Sequence, residues 1–71
     1  MGFFERFNQL LDEHNTTAYR VSKETGISER LVGQWKVGRM KPNLDNLVKL
    51  ADYFGVSLDY LVGRSDDPAM K

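Results

Sequence analysis

The side chains able to do covalent or redox chemistry are few. There is no cysteine, and His14 is the only histidine among 71 residues, so a disulfide framework and a thiolate zinc site are both excluded. His14, Ser22 and an aspartate can be assembled on paper into a hydrolase triad, yet no strained nucleophile turn surrounds Ser22 and no motif supports the imidazole. The six glycines stand mostly at helix stops rather than in a phosphate-cradling loop. One histidine with scattered carboxylates is a poor metal site. No catalytic residue, metal ligand or cofactor is therefore expected. What remains is electrostatic. The net formal charge is zero, but residues 17–41 hold Arg20, Lys23, Arg30, Lys36, Arg39 and Lys41 against Glu24 and Glu29, a local +4, and each flank carries −2. A basic segment of that kind suits a polyanionic partner.

The elements that must position these cations are short helices. Phe3, Phe4, Phe7, Leu10 and Leu11 form an amphipathic stripe, with Glu5, Arg6, Gln9, Asp12 and Glu13 opposite. His14 suits the last turn, and Asn15 suits a left-handed C-cap. Thr16-Thr17 offers hydroxyls to cap a second helix running to about Thr25, with Ala18, Val21 and part of Tyr19 facing inward. Gly26 stops it. Ser28 is expected to cap a third helix running to Val37, halted by Gly38 and Pro42. Asn43 caps a fourth, whose core stripe reads Leu44, Leu47, Val48, Ala51 and Phe54 up to Gly55. Ser57 caps a fifth, with Leu58, Leu61 and Val62 apolar, closing at Gly63. Connections this short leave no room for a sheet, so the fold is expected to be all-α.

A chain of this length buries only about 60% of its unfolded surface, which is enough for one domain. With 41% hydrophobic and 28% charged residues it reads as an ordinary globular chain. Charges follow Phe3 and Phe4 at once, so no signal-peptide stretch develops, and no apolar run approaches the ~18 residues of a membrane span. A cytoplasmic protein without membrane contact is expected.

Gly26, Ile27 and Ser28 are too few to let helices 2 and 3 lie side by side, so the two must cross steeply. A glycine turn between steeply crossed helices fits a DNA-binding helix-turn-helix, and it also fits any αα-corner of a helical bundle. Small Ser22 permits close approach, Gly26 takes the turn, and Val32 fills the corner, while Val21, Ile27 and Trp35 complete the seam.

Thr17 to Pro42 resembles the helix-turn-helix of the phage repressor and Cro-like family, also called XRE-type regulators. The resemblance lies in Val21-Ser22-Lys23-Glu24-Thr25-Gly26-Ile27-Ser28 and in Trp35-Lys36-Val37-Gly38-Arg39-Met40-Lys41-Pro42. It continues through Leu44 to Ala51 and Phe54 to Leu61, so about residues 3–63 are covered. It implies a compact five-helix, lambda-repressor-like DNA-binding domain over residues 1–63, followed by a polar tail or the start of a linker over 64–71.

The resemblance further implies that helix 3 lies in the major groove and that Glu29, Arg30, Gly33 and Gln34 meet bases. Arg30 suits guanine O6 and N7, Gln34 suits adenine N6 and N7, and Glu29 can accept from cytosine N4 or simply orient Arg30. Gly33 would allow close approach. Thr17, Tyr19, Ser28, Arg39 and Lys41 are the expected phosphate contacts. Many members carry a phosphate-binding glutamine at the first position of helix 2, and Ala18 stands there instead, which leaves Tyr19 or Arg20 to substitute. A radius of gyration of about 11 Å covers one half-site, so a homodimer on a pseudo-palindromic duplex is expected, with Tyr60, Val62, Arg64 and Met70 as its surface. A repressor from a bacterium or phage is the leading reading. The rival is an antitoxin-like or assembly module whose chief partner is a protein.

Overall fold

The computed structural model describes residues 2–69. Among them the backbone forms α1 (Phe3–Glu13), α2 (Ala18–Thr25), α3 (Glu29–Lys36), α4 (Leu44–Phe54) and α5 (Leu58–Leu61), with no strand. Side-chain caps begin three of them. Thr17 Oγ1 accepts from the Arg20 N–H at 3.2 Å, Asn43 Oδ1 from the Asn46 N–H at 2.9 Å, and Ser57 Oγ from the Tyr60 N–H at 3.0 Å. Each satisfies a donor that a helix start leaves unpaired. Asn15 adopts the left-handed conformation expected of it, at φ +52°.

Trp35 is the hub of the core. The edges of its contacts with Phe3 and Phe7 bring ring centroids within 6.4 and 6.3 Å, and Phe7 meets Phe54 edge-on at 6.3 Å. This aromatic set joins α1, α3 and α4. Val21, Val32, Leu50 and Leu61 are closed off beside it. Asn8 Nδ2 donates to the Lys36 carbonyl at 3.1 Å, so α1 also holds the C-terminal end of α3.

Three expectations about the helix faces need correction. On α4 the buried residues are Leu50, Ala51 and Phe54, with Leu47 packed against them, whereas Leu44 is 67% exposed and Val48 is also exposed. At about 100° per residue, residues 47, 50, 51 and 54 share one arc, and Leu44 and Val48 fall beyond its edge. On α1, Phe4 is exposed and Arg6 is buried at 3% exposure. Tyr19 lies outward on α2, beside the Lys23 ammonium at 5.2 Å.

The Arg6 guanidinium lies 3.8 Å above the Tyr60 ring and donates to the Ser65 carbonyl and to Asp66 Oδ1, both at 3.3 Å. Arg64 and Ser65 N–H groups donate to the Asp59 carbonyl, and the Ser57 N–H donates to the Pro68 carbonyl at 3.0 Å. Residues 64–69 therefore return to the body, held at Arg6 and at the start of α5.

Candidate nucleic-acid interface

The turn between α2 and α3 is built from local hydrogen bonds. Ser22 Oγ donates to the Ile27 carbonyl at 2.5 Å, and Thr25 Oγ1 donates to the Val21 carbonyl and accepts from the Ile27 N–H. Gly26 closes α2 at φ +78°, with its N–H on the Ser22 carbonyl. A left-handed residue costs an L-amino acid ~1–2 kcal/mol, which is why glycine suits this turn. Val21, Ile27 and Val32 are buried around it. The small residue at 22, the glycine at 26 and the corner residue at 32 thus act as one device that sets α3 against α2.

With Val32 and Trp35 locked inward, the opposite side of α3 is left to solvent. Glu29 and Arg30 are exposed, and Gly33, Gln34 and Leu31 are half-buried. Among the described residues, neither Glu29 nor Arg30 takes part in an ion pair or a side-chain hydrogen bond, so the guanidinium carries no internal commitment. A Cβ built on Gly33 meets nothing within 4 Å, so packing within the domain gives no reason for a glycine there.

Ser28 occupies the N-cap position of α3, but its side chain makes no cap hydrogen bond. That differs from the capping expected of it. The first-turn N–H groups of α3 therefore have no side-chain acceptor, and such groups favour an anion. Val37 caps the other end, one residue earlier than expected, and leads into an exposed loop carrying Arg39, Met40 and Lys41. The loop is shaped by Gly38, at φ +79°, where a Cβ would come within 3.2 Å of the Phe4 ring.

The expected phosphate contacts divide. Ser28 lies exposed at the start of α3, and Arg39 and Lys41 lie exposed in the loop beyond its end. Thr17 is exposed, with its hydroxyl oxygen engaged by the helix it caps. Arg20, the possible substitute for the missing glutamine, pairs with Glu24 at 3.5 Å. Glu24 also accepts from the Tyr53 hydroxyl, and this hydrogen bond is the main cause holding the Tyr53 pKa above its usual value. Of the four residues expected at a dimer surface, Arg64 is exposed and Val62 half-buried, but Tyr60 is only 7% exposed beneath Arg6. Its ring cannot serve a second copy without dismantling that stack. Met70 lies outside the described residues.

Residues 8–61 match a helix-turn-helix family model. The chain belongs to the helix-turn-helix family. It is 36% identical over 69 residues to the HTH-type transcriptional regulator YobD of Bacillus subtilis, covering 97% of this chain and 62% of that protein. It is also 38% identical over 64 residues to RstR, a cryptic phage transcriptional repressor of Vibrio cholerae, covering 90% of this chain and 57% of RstR. Among solved structures, a transcriptional regulator from Listeria innocua superposes with a TM-score of 0.77 at 33% identity, covering 86% of this chain and 57% of that one. The chain thus spans about three fifths of the length of these relatives. The family is one of transcriptional regulators, and the five-helix fold agrees with the solved relative. Among the described residues no helix is long and apolar enough to cross a membrane.

Sequence reasoning missed two features of the domain. One is the burial of Arg6, which an amphipathic reading assigns to solvent because it is charged. The other is an open groove of about 470 Å³ between α4, α5 and residues 65–69. Its walls come from segments far apart in sequence, and no local pattern announces it.

Proposed function

We propose that this domain recognises double-stranded DNA through the outer face of α3 and represses transcription as a dimer that occludes a promoter. The observation that carries the reading is the state of Arg30. It is exposed on a helix whose other side is fixed in the core, and it has no ion-pair partner among the described residues. Arg30 reads guanine through O6 and N7, Gln34 reads adenine through N6 and N7, and each bidentate pair supplies ~1–3 kcal/mol of discrimination. Gly33 lets the helix backbone approach the base edges. Glu29 accepts from cytosine or steers Arg30.

Phosphates are held by Ser28 with the free N–H groups at the start of α3, by Arg39 and Lys41 in the following loop, and by Thr17 and Tyr19 at the start of α2. The longest extent of the domain is 29 Å, and half-sites one DNA turn apart are ~34 Å from centre to centre. One copy therefore serves one half-site, and two copies give a pseudo-palindromic operator. Val62 and Arg64 remain available at the end of α5 to join them. The repressor named among the relatives supports the direction of regulation.

Selection from a randomised duplex library at ~50 mM salt, where screening is weak, tests the reading. The expected result is enrichment of a two-half motif bound by two chains. No enrichment with folded protein, alone or fused to a dimerising coiled coil, would overturn it.

A further inference from the structure

The groove between α4, α5 and residues 65–69 has an apolar floor and an acidic rim. Val48, Val56 and Leu58 supply the floor, and Asp52, Asp59 and Asp67 stand around it. Leu58 is 40% exposed and Val48 41%, so the floor remains accessible to an incoming side chain. Among the described residues, no lysine or arginine lines the groove. Arg64 approaches Asp59 at 3.9 Å, and among the described residues neither Asp52 nor Asp67 has a cationic partner. The volume of about 470 Å³ falls in the range of sites that take a compact group.

The same chain presents the complementary chemistry elsewhere. The loop between α3 and α4 exposes Met40 at 48% between Arg39 and Lys41. It is an unbranched apolar side chain with a cation on either side, of the adaptable kind that fills irregular apolar hollows. We propose that in the absence of DNA the α3–α4 loop of one copy seats in the α4–α5 groove of another. Met40 enters against Val48 and Leu58, and Arg39 and Lys41 meet the aspartates.

The association stands on the loop and the groove alone. Its consequence for regulation rests on the proposed phosphate roles of Arg39 and Lys41, because the same two cations cannot serve aspartates and phosphates at once. DNA and self-association then compete, and the DNA-free protein is held in a form that must dissociate before it binds.

Sedimentation equilibrium over a concentration series tests the proposal on the intact chain. A mass rising above the 8.2 kDa of one copy, and falling back as salt is raised, is expected. Met40→Gln removes the apolar anchor and Leu58→Gln removes the floor. Both positions are exposed, so the fold should persist, as circular dichroism would verify. Each variant alone should associate at least about tenfold more weakly. A mixture of the two should recover pairing, because one supplies an intact groove and the other an intact loop. A wild-type chain that stays at one copy up to its solubility limit would overturn the proposal. So would association indifferent to both substitutions, or a mixture no stronger than its parts. If association behaves as expected but a bound duplex fails to compete with it, the phosphate roles of Arg39 and Lys41 fail and the loop-in-groove contact stands.

Discussion

Gly33→Ala separates the demands of folding from those of recognition within one methyl group. Gly33 lies inside α3, it has no left-handed backbone angle, and a Cβ there meets nothing within 4 Å. Within the free domain the substitution can therefore only relieve the entropic cost of an interior glycine, a gain of roughly 0.5–1 kcal/mol. For a domain of this size that corresponds to a melting temperature about 2–8 °C higher. On the proposed complex the sign reverses. A methyl placed where the helix backbone meets the base edges should cost about 1–3 kcal/mol, by analogy with overpacking a closed interior, which weakens binding by about 5- to 150-fold. Thermal unfolding followed by circular dichroism gives the first number, and fluorescence anisotropy on the selected duplex gives the second. A variant that melts higher and binds DNA as well as the wild type would refute close approach at Gly33. One that melts lower would refute the packing argument itself.

Other perturbations probe the scaffold. Arg6→Ala should cost about 2–4 kcal/mol in denaturant unfolding, since it removes a desolvated cation–π stack, a hydrogen bond to the Ser65 carbonyl and a buried aliphatic stem. Asp66→Ala should cost under ~1 kcal/mol because that carboxylate is fully exposed; equal losses would mean that the ion pair, rather than the stack, holds the segment. Gly26→Ala should lose only the ~1–2 kcal/mol of a left-handed alanine, while Gly38→Ala should lose more because its Cβ also presses on Phe4 at 3.2 Å; urea midpoints in the opposite order would contradict this. Hydrogen bonds from its own and the Gly2 backbone N–H groups hold the Glu5 carboxyl below its ordinary value near 4.5. A depressed folded-state pKa contributes stability that is present above pH ~4.5 and lost as pH falls through the folded value. Glu5→Gln should flatten that acid slope, and an unchanged slope would place it elsewhere.

The turn was legible in the sequence because its constraints are local. Ser22, Gly26, Ile27 and Val32 act within a few residues of one another, and only certain residue types satisfy them. Caps at Thr17, Asn43 and Ser57 were legible for the same reason. The phase of α4 was not. Its apolar face is wider than the arc the core covers, so Leu44 and Val48 read as well as Leu50 until the neighbours are in place. Arg6 failed in the other direction, since nothing local says that a tyrosine ring from α5 and the backbone of residue 65 will receive its guanidinium. Tyr60, read as an exposed aromatic, is the other half of that contact. For the site, the order of residues along α3 told which side faces outward, because Val32 and Trp35 fix the inner side. The absence of a side-chain cap hydrogen bond at Ser28 was not visible, since serine there ordinarily predicts a capped start.

Discrimination at single base pairs tests the central claim most directly. Wild type and Arg30→Ala would be titrated by anisotropy against the selected operator and against duplexes in which each G·C pair of the half-site is replaced in turn. If α3 reads bases through Arg30, the wild type loses about 5- to 150-fold at one such position, the equivalent of ~1–3 kcal/mol, and Arg30→Ala binds that duplex and the operator alike. If Arg30→Ala keeps the full wild-type preference at every position, the outer face of α3 is not the reading surface, and the account of this domain as an α3 reader fails.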